Sequence, residues 1–227
     1  MAATFDEQGF AVHERVLGER DLAALAACFA DARAGDRDGL AHAAVRTIAC
    51  SATVRALVEP VLGSAAVAIR ATLFDKTPQT NWLVAWHQDR VVPVQQRVEV
   101  AGYRAWSQKD DQWFVEPPLA VLANLLAVRL DLDGSGERSG GLRVVPGSHR
   151  HGVLPPAAIA ERAAAGPVVL PLVAVGGAMT MRPLLLHASS RAVDAPHRRI
   201  VHLEFAPGPL PPPLAFARAI AGMSSPA

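Results

Sequence analysis

His87 and Asp89 stand two residues apart in WHQDR (86–90), flanked by the apolar runs NWLVA and VVPV. In a strand, residues two apart point to the same face, so an imidazole nitrogen and a carboxylate oxygen can converge on one point. Together they are two of the three ligands of a 2-His-1-carboxylate facial triad, which holds Fe(II) and leaves positions open for a cosubstrate and dioxygen. His187 is the best third ligand, because LLLHASS ends an apolar, strand-like run on an otherwise unexplained imidazole. The HxD spacing alone arises by chance, and a histidine at a strand end is more often a hydrogen-bonded structural residue.

The other six histidines compete less well. His149 and His151 in GSHRHG have the HxH spacing of a cupin-type metal site, yet they follow a Pro-Gly-Ser turn, which favours solvated loop residues. His197 and His202 flank the last strand, while His13 and His42 lie near helix ends with no partners in view. A keto acid that chelates iron leaves its distal carboxylate several ångströms away, where a fixed arginine fork would meet it. HRRIVHLEF offers Arg198 and Arg199. Alternation puts Arg198 on the face of His202 and Glu204, and Arg199 on the apolar face of Val201, Leu203 and Phe205, so Arg198 is the better candidate. The alternative is that both are surface arginines at a strand start.

Elements able to hold these residues follow from the rest of the 227-residue chain. Glu19–Ala34 carries Leu22, Leu25, Ala26 and Phe29 at helical spacing and runs into Gly35. A second helix starts after Ser51, a plausible N-cap, and ends at Gly63, with Pro60 interrupting its later turn. Beyond it AVAIRATLF, WLVAWHQ, LAVLANLLAVRLDL, GLRVV, PVVLPLV, GAMTMRPLLLH and RRIVHLEF read as short strands between Gly, Pro, Asp and Ser. The pattern predicts a mainly β single domain with flanking helices: a helical buttress over about 1–65, a jelly-roll core over about 66–206 and a tail at 207–227. PGPLPPPLAF in that tail is a proline-rich crossing before a last short helix or a frayed end. Residues 90–116, with Tyr103, Trp106 and Trp113, form a connection that is either a lid over the site or a cover for a satellite core.

Bulk properties exclude several functions. Basic and acidic residues number 22 and 21 without like-charged blocks, so neither nucleic acid nor an anionic membrane is expected as a partner. The two cysteines form no CxxC pair, and the first residues lack a basic-then-apolar leader, so a reducing, cytoplasmic setting is expected. The longest apolar stretches are broken by Asn124 or by Pro and Gly and are too short to span a bilayer.

LFDKTPQTNWLVAWHQDR, then SGGLRVVPGSHRHG, then HASSRAVDAPHRR, in that order within about 66–205, resemble the phytanoyl-CoA dioxygenase family of Fe(II)- and 2-oxoglutarate-dependent oxygenases. The resemblance implies a double-stranded β-helix with the iron in the mouth of the roll, and Fe(II), 2-oxoglutarate and O2 as cofactor and cosubstrates. Position by position it implies His87, Asp89 and His187 as metal ligands and Arg198 as the grip on the distal carboxylate of 2-oxoglutarate. By the same resemblance Ser189 assists Arg198, and Thr72 and Asn124 align with cosubstrate contacts, Asn124 standing where some members have tryptophan. The GSHRHG segment matches a structural turn of the family. An intact Asp89 implies hydroxylation or another oxidation such as desaturation, because halogenating relatives lack that carboxylate.

The expected reaction hydroxylates a small-molecule metabolite and releases succinate and CO2. A cupin-like metal enzyme that does not use 2-oxoglutarate, or a non-catalytic jelly-roll binding protein, are the alternatives. For the substrate, Trp106, Tyr103 and Arg129 are the candidate contacts, by stacking or by charge.

Overall fold

The computed structural model describes residues 4–30, 35–193 and 197–222. From the N-terminus run α1 (Phe5–Gln8), β1 (Phe10–His13), α2 (Glu19–Ala27), α3 (Ala43–Ala49) and α4 (Ala52–Leu62). The Ser51 hydroxyl accepts from the Val54 N–H and caps α4. The helix runs through Pro60 to Gly63, whose φ of 82° is open to glycine without strain. The α2 helix stops at Ala27, not Ala34. The N–H groups of Cys28, Phe29 and Ala30 turn back to carbonyls three residues earlier, tightening and ending it; residues 31–34 lie outside the described ones.

The strands that follow are β2 (Val67–Lys76), β3 (Val84–His87), β4 (Val92–Val94), β5 (Arg104–Lys109) and β6 (Gln112–Glu116). After α5 (Leu119–Leu122) come β7 (Leu126–Asp131), β8 (Leu142–Val144), α6 (Pro156–Ala165), β9 (Ala178–Met181), β10 (His187–Ser189), β11 (Arg198–Ala206) and β12 (Ile220–Ala221). A six-stranded sheet in the order β1-β9-β7-β11-β2-β12 opposes a three-stranded sheet, β3-β10-β8, and all neighbours pair antiparallel. This is the two-sheet roll expected of a jelly roll.

Strand alternation assigns the two faces of the large sheet. Ala71, Leu73, Val128, Leu130, Val201 and Leu203 pack on Leu25, Val45, Val54 and Val58 of the helices in one buried cluster. Each fully buried leucine or valine there contributes about 1.5–3 kcal/mol. The opposite face carries Arg70, Thr72, Lys76, Arg129, Arg198, His202 and Glu204, turned toward the small sheet.

Three further expectations from the sequence need correction, and of the two readings of 90–116 the cover for a satellite core is the one found. The 119–132 run is not one strand: Pro117 and Pro118 lead into the single turn of α5, and only Leu126–Asp131 is extended. PVVLPLV makes only isolated bridges, Val169 with Val144 and Val173 with Ser135, because Pro167 and Pro171 interrupt the pairing. The 90–116 connection is a third sheet, β4-β6-β5, turned at Asp110 and Asp111, both at positive φ. Tyr103 is buried in a cluster with Val92, Val94 and Val115, against which Trp106 and Trp113 pack, so these rings cover a satellite core. Finally, the C-terminal segment returns as β12 to pair with the start of β2. No helix among the described residues is long and apolar enough to cross a membrane.

Candidate active site

Antiparallel pairing of β3 and β10 brings His87 directly opposite His187, across a hundred residues of sequence. Their ring centroids are 4.1 Å apart. Asp89 follows β3, its N–H donating to the Pro183 carbonyl at 2.9 Å. Its carboxylate lies 3.7 Å from His87 Nε2 and 3.5 Å from His187 Nε2.

Both imidazoles are oriented alike. Nδ1 of His87 donates to the Ala85 carbonyl and Nδ1 of His187 to the Leu185 carbonyl, each at 2.8 Å. A proton on Nδ1 leaves the lone pair on Nε2, the nitrogen aimed at Asp89, as a metal ligand requires. Burial, outweighing the attraction of Asp89, pushes His187 down to about 3, so it is neutral at working pH. Burial opposes the charge on Asp89, but His187, His202, His87 and Arg70 hold its carboxyl below the usual range.

Asp89, His202 and Glu204 form a second group whose ligand atoms lie within 4.8 Å of one another. Its chemistry differs. Arg129 donates to His202 Nδ1 at 3.3 Å, which puts the imidazole proton on Nε2, the atom that faces Glu204 at 3.4 Å and Asp89 at 3.8 Å. Glu204 is also engaged by the Arg70 guanidinium. His202 therefore turns a protonated Nε2 toward the two carboxylates and offers the site no competing lone pair.

A cavity of about 220 Å³ opens on these groups, lined by residues of both sheets. Away from the histidines it holds Arg198 and Lys76, which are 3 % and 0 % exposed. Arg198 donates to the Gly140 carbonyl, its Nε is buried without a partner among the described residues, and burial lowers its pKa to about 10. Lys76 donates to Ser189 Oγ at 2.9 Å and to the Ser190 carbonyl at 2.5 Å, with the Trp82 ring 5.6 Å away. Among the described residues neither buried cation has a carboxylate partner, and the pair forms a receptor for an anion. Arg199, the other candidate, pairs with Asp133 outside this cavity.

Thr72 and Arg129 also line the cavity; Asn124 does not. It is exposed and its amide donates to the Ala120 carbonyl, because it closes the α5 turn rather than sitting on a strand. Tyr103 and Trp106 are likewise absent from the cavity wall, being held in the third sheet. Lys76, Trp82, Arg70 and His202 belong to the site without having been singled out in the sequence. Period-two alternation along β2 was the available signal, since it sets Arg70, Thr72 and Lys76 on one face.

Gln88 points the other way from its neighbours and fixes the segment. Its amide donates to the Gly152 and Leu184 carbonyls at 2.8 and 2.7 Å, and its oxygen accepts from the Leu154 N–H at 2.9 Å. Gln88→Leu strands three backbone groups, those of Leu154 and Leu184 buried, and should cost about 2–4 kcal/mol. Denaturant unfolding checks this; a loss under about 0.5 kcal/mol would refute the anchoring role.

The profile of the phytanoyl-CoA dioxygenase (PhyH) family matches residues 5–200. No curated protein matches the chain. Among solved structures, AviO1 from Streptomyces viridochromogenes Tue57 superposes with a TM-score of 0.65 at 24% identity, covering 92% of this chain and 94% of that one. SnoK, a non-heme alpha ketoglutarate dependent carbocyclase from nogalamycin biosynthesis, gives 0.64 at 16% identity over 90% and 84% of the chains. HygX from Streptomyces hygroscopicus, with nickel and 2-oxoglutarate bound, gives 0.64 at 16% over 89% and 84%. With the profile spanning most of its length and the same fold recurring in these structures, the chain belongs to the phytanoyl-CoA dioxygenase family, whose oxygenases use Fe(II), 2-oxoglutarate and dioxygen.

Proposed function

We propose that this protein hydroxylates a C–H bond of a small-molecule metabolite, with 2-oxoglutarate and O2 converted to succinate and CO2. The matched orientation of His87 and His187 around Asp89 carries the reading, since it presents two Nε2 atoms and one carboxylate to a single point. These three residues would hold the iron. Bound there, Fe(II) supplies the activation of dioxygen that couples decarboxylation of the 2-oxo acid to oxidation of the substrate. The protein supplies orientation and a dry cavity: Arg198 and Lys76 receive the distal carboxylate, Ser189 holds Lys76 in place, and Thr72 lines the path between.

Intact Asp89 favours hydroxylation over halogenation. The two cysteines, Cys28 and Cys50, are unpaired, in keeping with a cytoplasmic protein. We take helices, roll and C-terminal strand as one catalytic domain. A metal enzyme using His149 and His151 instead is disfavoured by their placement: His149 Nε2 donates to the Asp6 carbonyl, outside the cavity.

The test is a small-molecule screen for succinate release with product mass, using His87→Ala as control. A product that gains one oxygen atom supports hydroxylation. Loss of two hydrogens would replace it with desaturation or ring closure, and absence of iron-dependent turnover across diverse substrates would count against an enzyme.

Cosubstrate affinity should also depend on pH. Burial, followed by the charges of Arg198 and Arg129, brings Lys76 down to about 7. It is charged below that value and neutral above it, so affinity for 2-oxoglutarate should fall as pH rises through about 7. Lys76→Met should flatten the profile; an unchanged pH dependence in that variant would remove Lys76 from the carboxylate site.

A further inference from the structure

Arg129 is 7 % exposed and lines the metal-side cavity, and among the described residues its guanidinium makes one hydrogen bond, to His202 Nδ1. A guanidinium has five N–H donors in a rigid fork. None of the remaining Arg129 nitrogens is a sealed, unpartnered atom, although such atoms occur elsewhere, as at Arg198 Nε. The fork therefore opens on the cavity. Its nearest carboxyl on the same strand, Asp131, accepts from the Ser135 hydroxyl and feels the charge of Arg129, but lies within ion-pair distance of no Arg129 nitrogen among the described residues.

Pairing register separates Arg129 from the other cations. Arg129 lies opposite His202 on β11, and His202 lies opposite Thr72 on β2, whereas Arg198 lies opposite Lys76 four residues along. At about 3.3 Å per residue, that sets the two cationic positions on the order of 13 Å apart along the strands. The charge of Arg129 is still felt at Arg198 and Lys76, so the three cationic groups border one cavity. The Arg129 end is the one beside Asp89, through His202.

We infer that Arg129 receives the carboxylate of the 2-oxo acid at the metal end of the cavity, so that each end of the cosubstrate meets its own buried cation. This rests on the cosubstrate role proposed above. It makes the pocket tolerant of short 2-oxo acids, because such ligands keep the end that Arg129 holds.

The test is anaerobic calorimetric titration of the Ni(II)-loaded protein with 2-oxoglutarate and with 2-oxobutyrate, which lacks the distal carboxylate. Arg129→Gln keeps a donor for His202. The double variant R129Q/D131N removes both buried charges together and guards against misfolding of the single one. Either variant should weaken both ligands by about tenfold or more, while Arg198→Gln weakens 2-oxoglutarate alone. Unchanged 2-oxobutyrate affinity in variants that still take up Ni(II) would overturn the inference. Failure of the wild-type protein to bind 2-oxoglutarate would instead overturn the cosubstrate reading beneath it.

Discussion

His187→Ala should abolish saturable Fe(II) binding, whereas His202→Gln should retain binding at one ion per chain. Both imidazoles are buried, 4 % exposed each, and both lie within 4 Å of Asp89, so proximity and burial do not separate them. Proton placement does. The Leu185 carbonyl fixes the proton of His187 on Nδ1, and the Arg129 guanidinium, a permanent donor, fixes that of His202 on Nε2. Removing His187 deletes a ligand. Replacing His202 disturbs a neighbour of a ligand, for which a loss of about 10–100-fold in affinity is typical. Anaerobic titration with Fe(II), or with Ni(II) as a redox-stable substitute, separates the two. Loss in His202→Gln together with retention in His187→Ala would move the metal to the Asp89, His202 and Glu204 group.

Arg198→Gln should raise the dissociation constant for 2-oxoglutarate about 30- to 150-fold without altering metal uptake. Two charge-assisted bonds in a buried site are worth about 2–3 kcal/mol, which converts to that ratio. Arg198 has the features such a loss needs: near-complete burial and, among the described residues, an unpartnered Nε and a neighbour, Lys76, also without a carboxylate. Calorimetry on the Ni(II)-loaded variant checks it. A change under about threefold would mean that the distal carboxylate is held elsewhere.

Site residues were legible in the sequence where local periodicity was enough. His87 and Asp89 share a strand face two residues apart, and alternation from His202 and Glu204 was enough to prefer Arg198 over Arg199. Family resemblance added Ser189 and Thr72, which do reach the cavity. Residues whose environment comes from distant pairing were not legible. Lys76 closes a strand before a Thr-Pro turn and looks like a solvated lysine; its burial depends on Ser189 and Ser190, over a hundred residues away. His202 looks like an ordinary strand histidine until β7 brings Arg129 to its side. The misreading of Asn124 has a local cause, since an apolar run of 14 residues gives no period that separates one helical turn from the strand after it. The third sheet was hidden for another reason: its turn uses Asp110-Asp111 at positive φ, without the glycine that usually marks a hairpin.

The central claim is that His87, Asp89 and His187 hold an iron that couples 2-oxoglutarate to dioxygen. Its most direct measurement is succinate formation under isotopically labelled O2 by the Fe(II)-loaded protein, wild type beside His187→Ala. Wild-type protein should release succinate carrying one oxygen atom from O2, and the variant should release none. Succinate free of the label, or equal labelled succinate from both proteins, would contradict it.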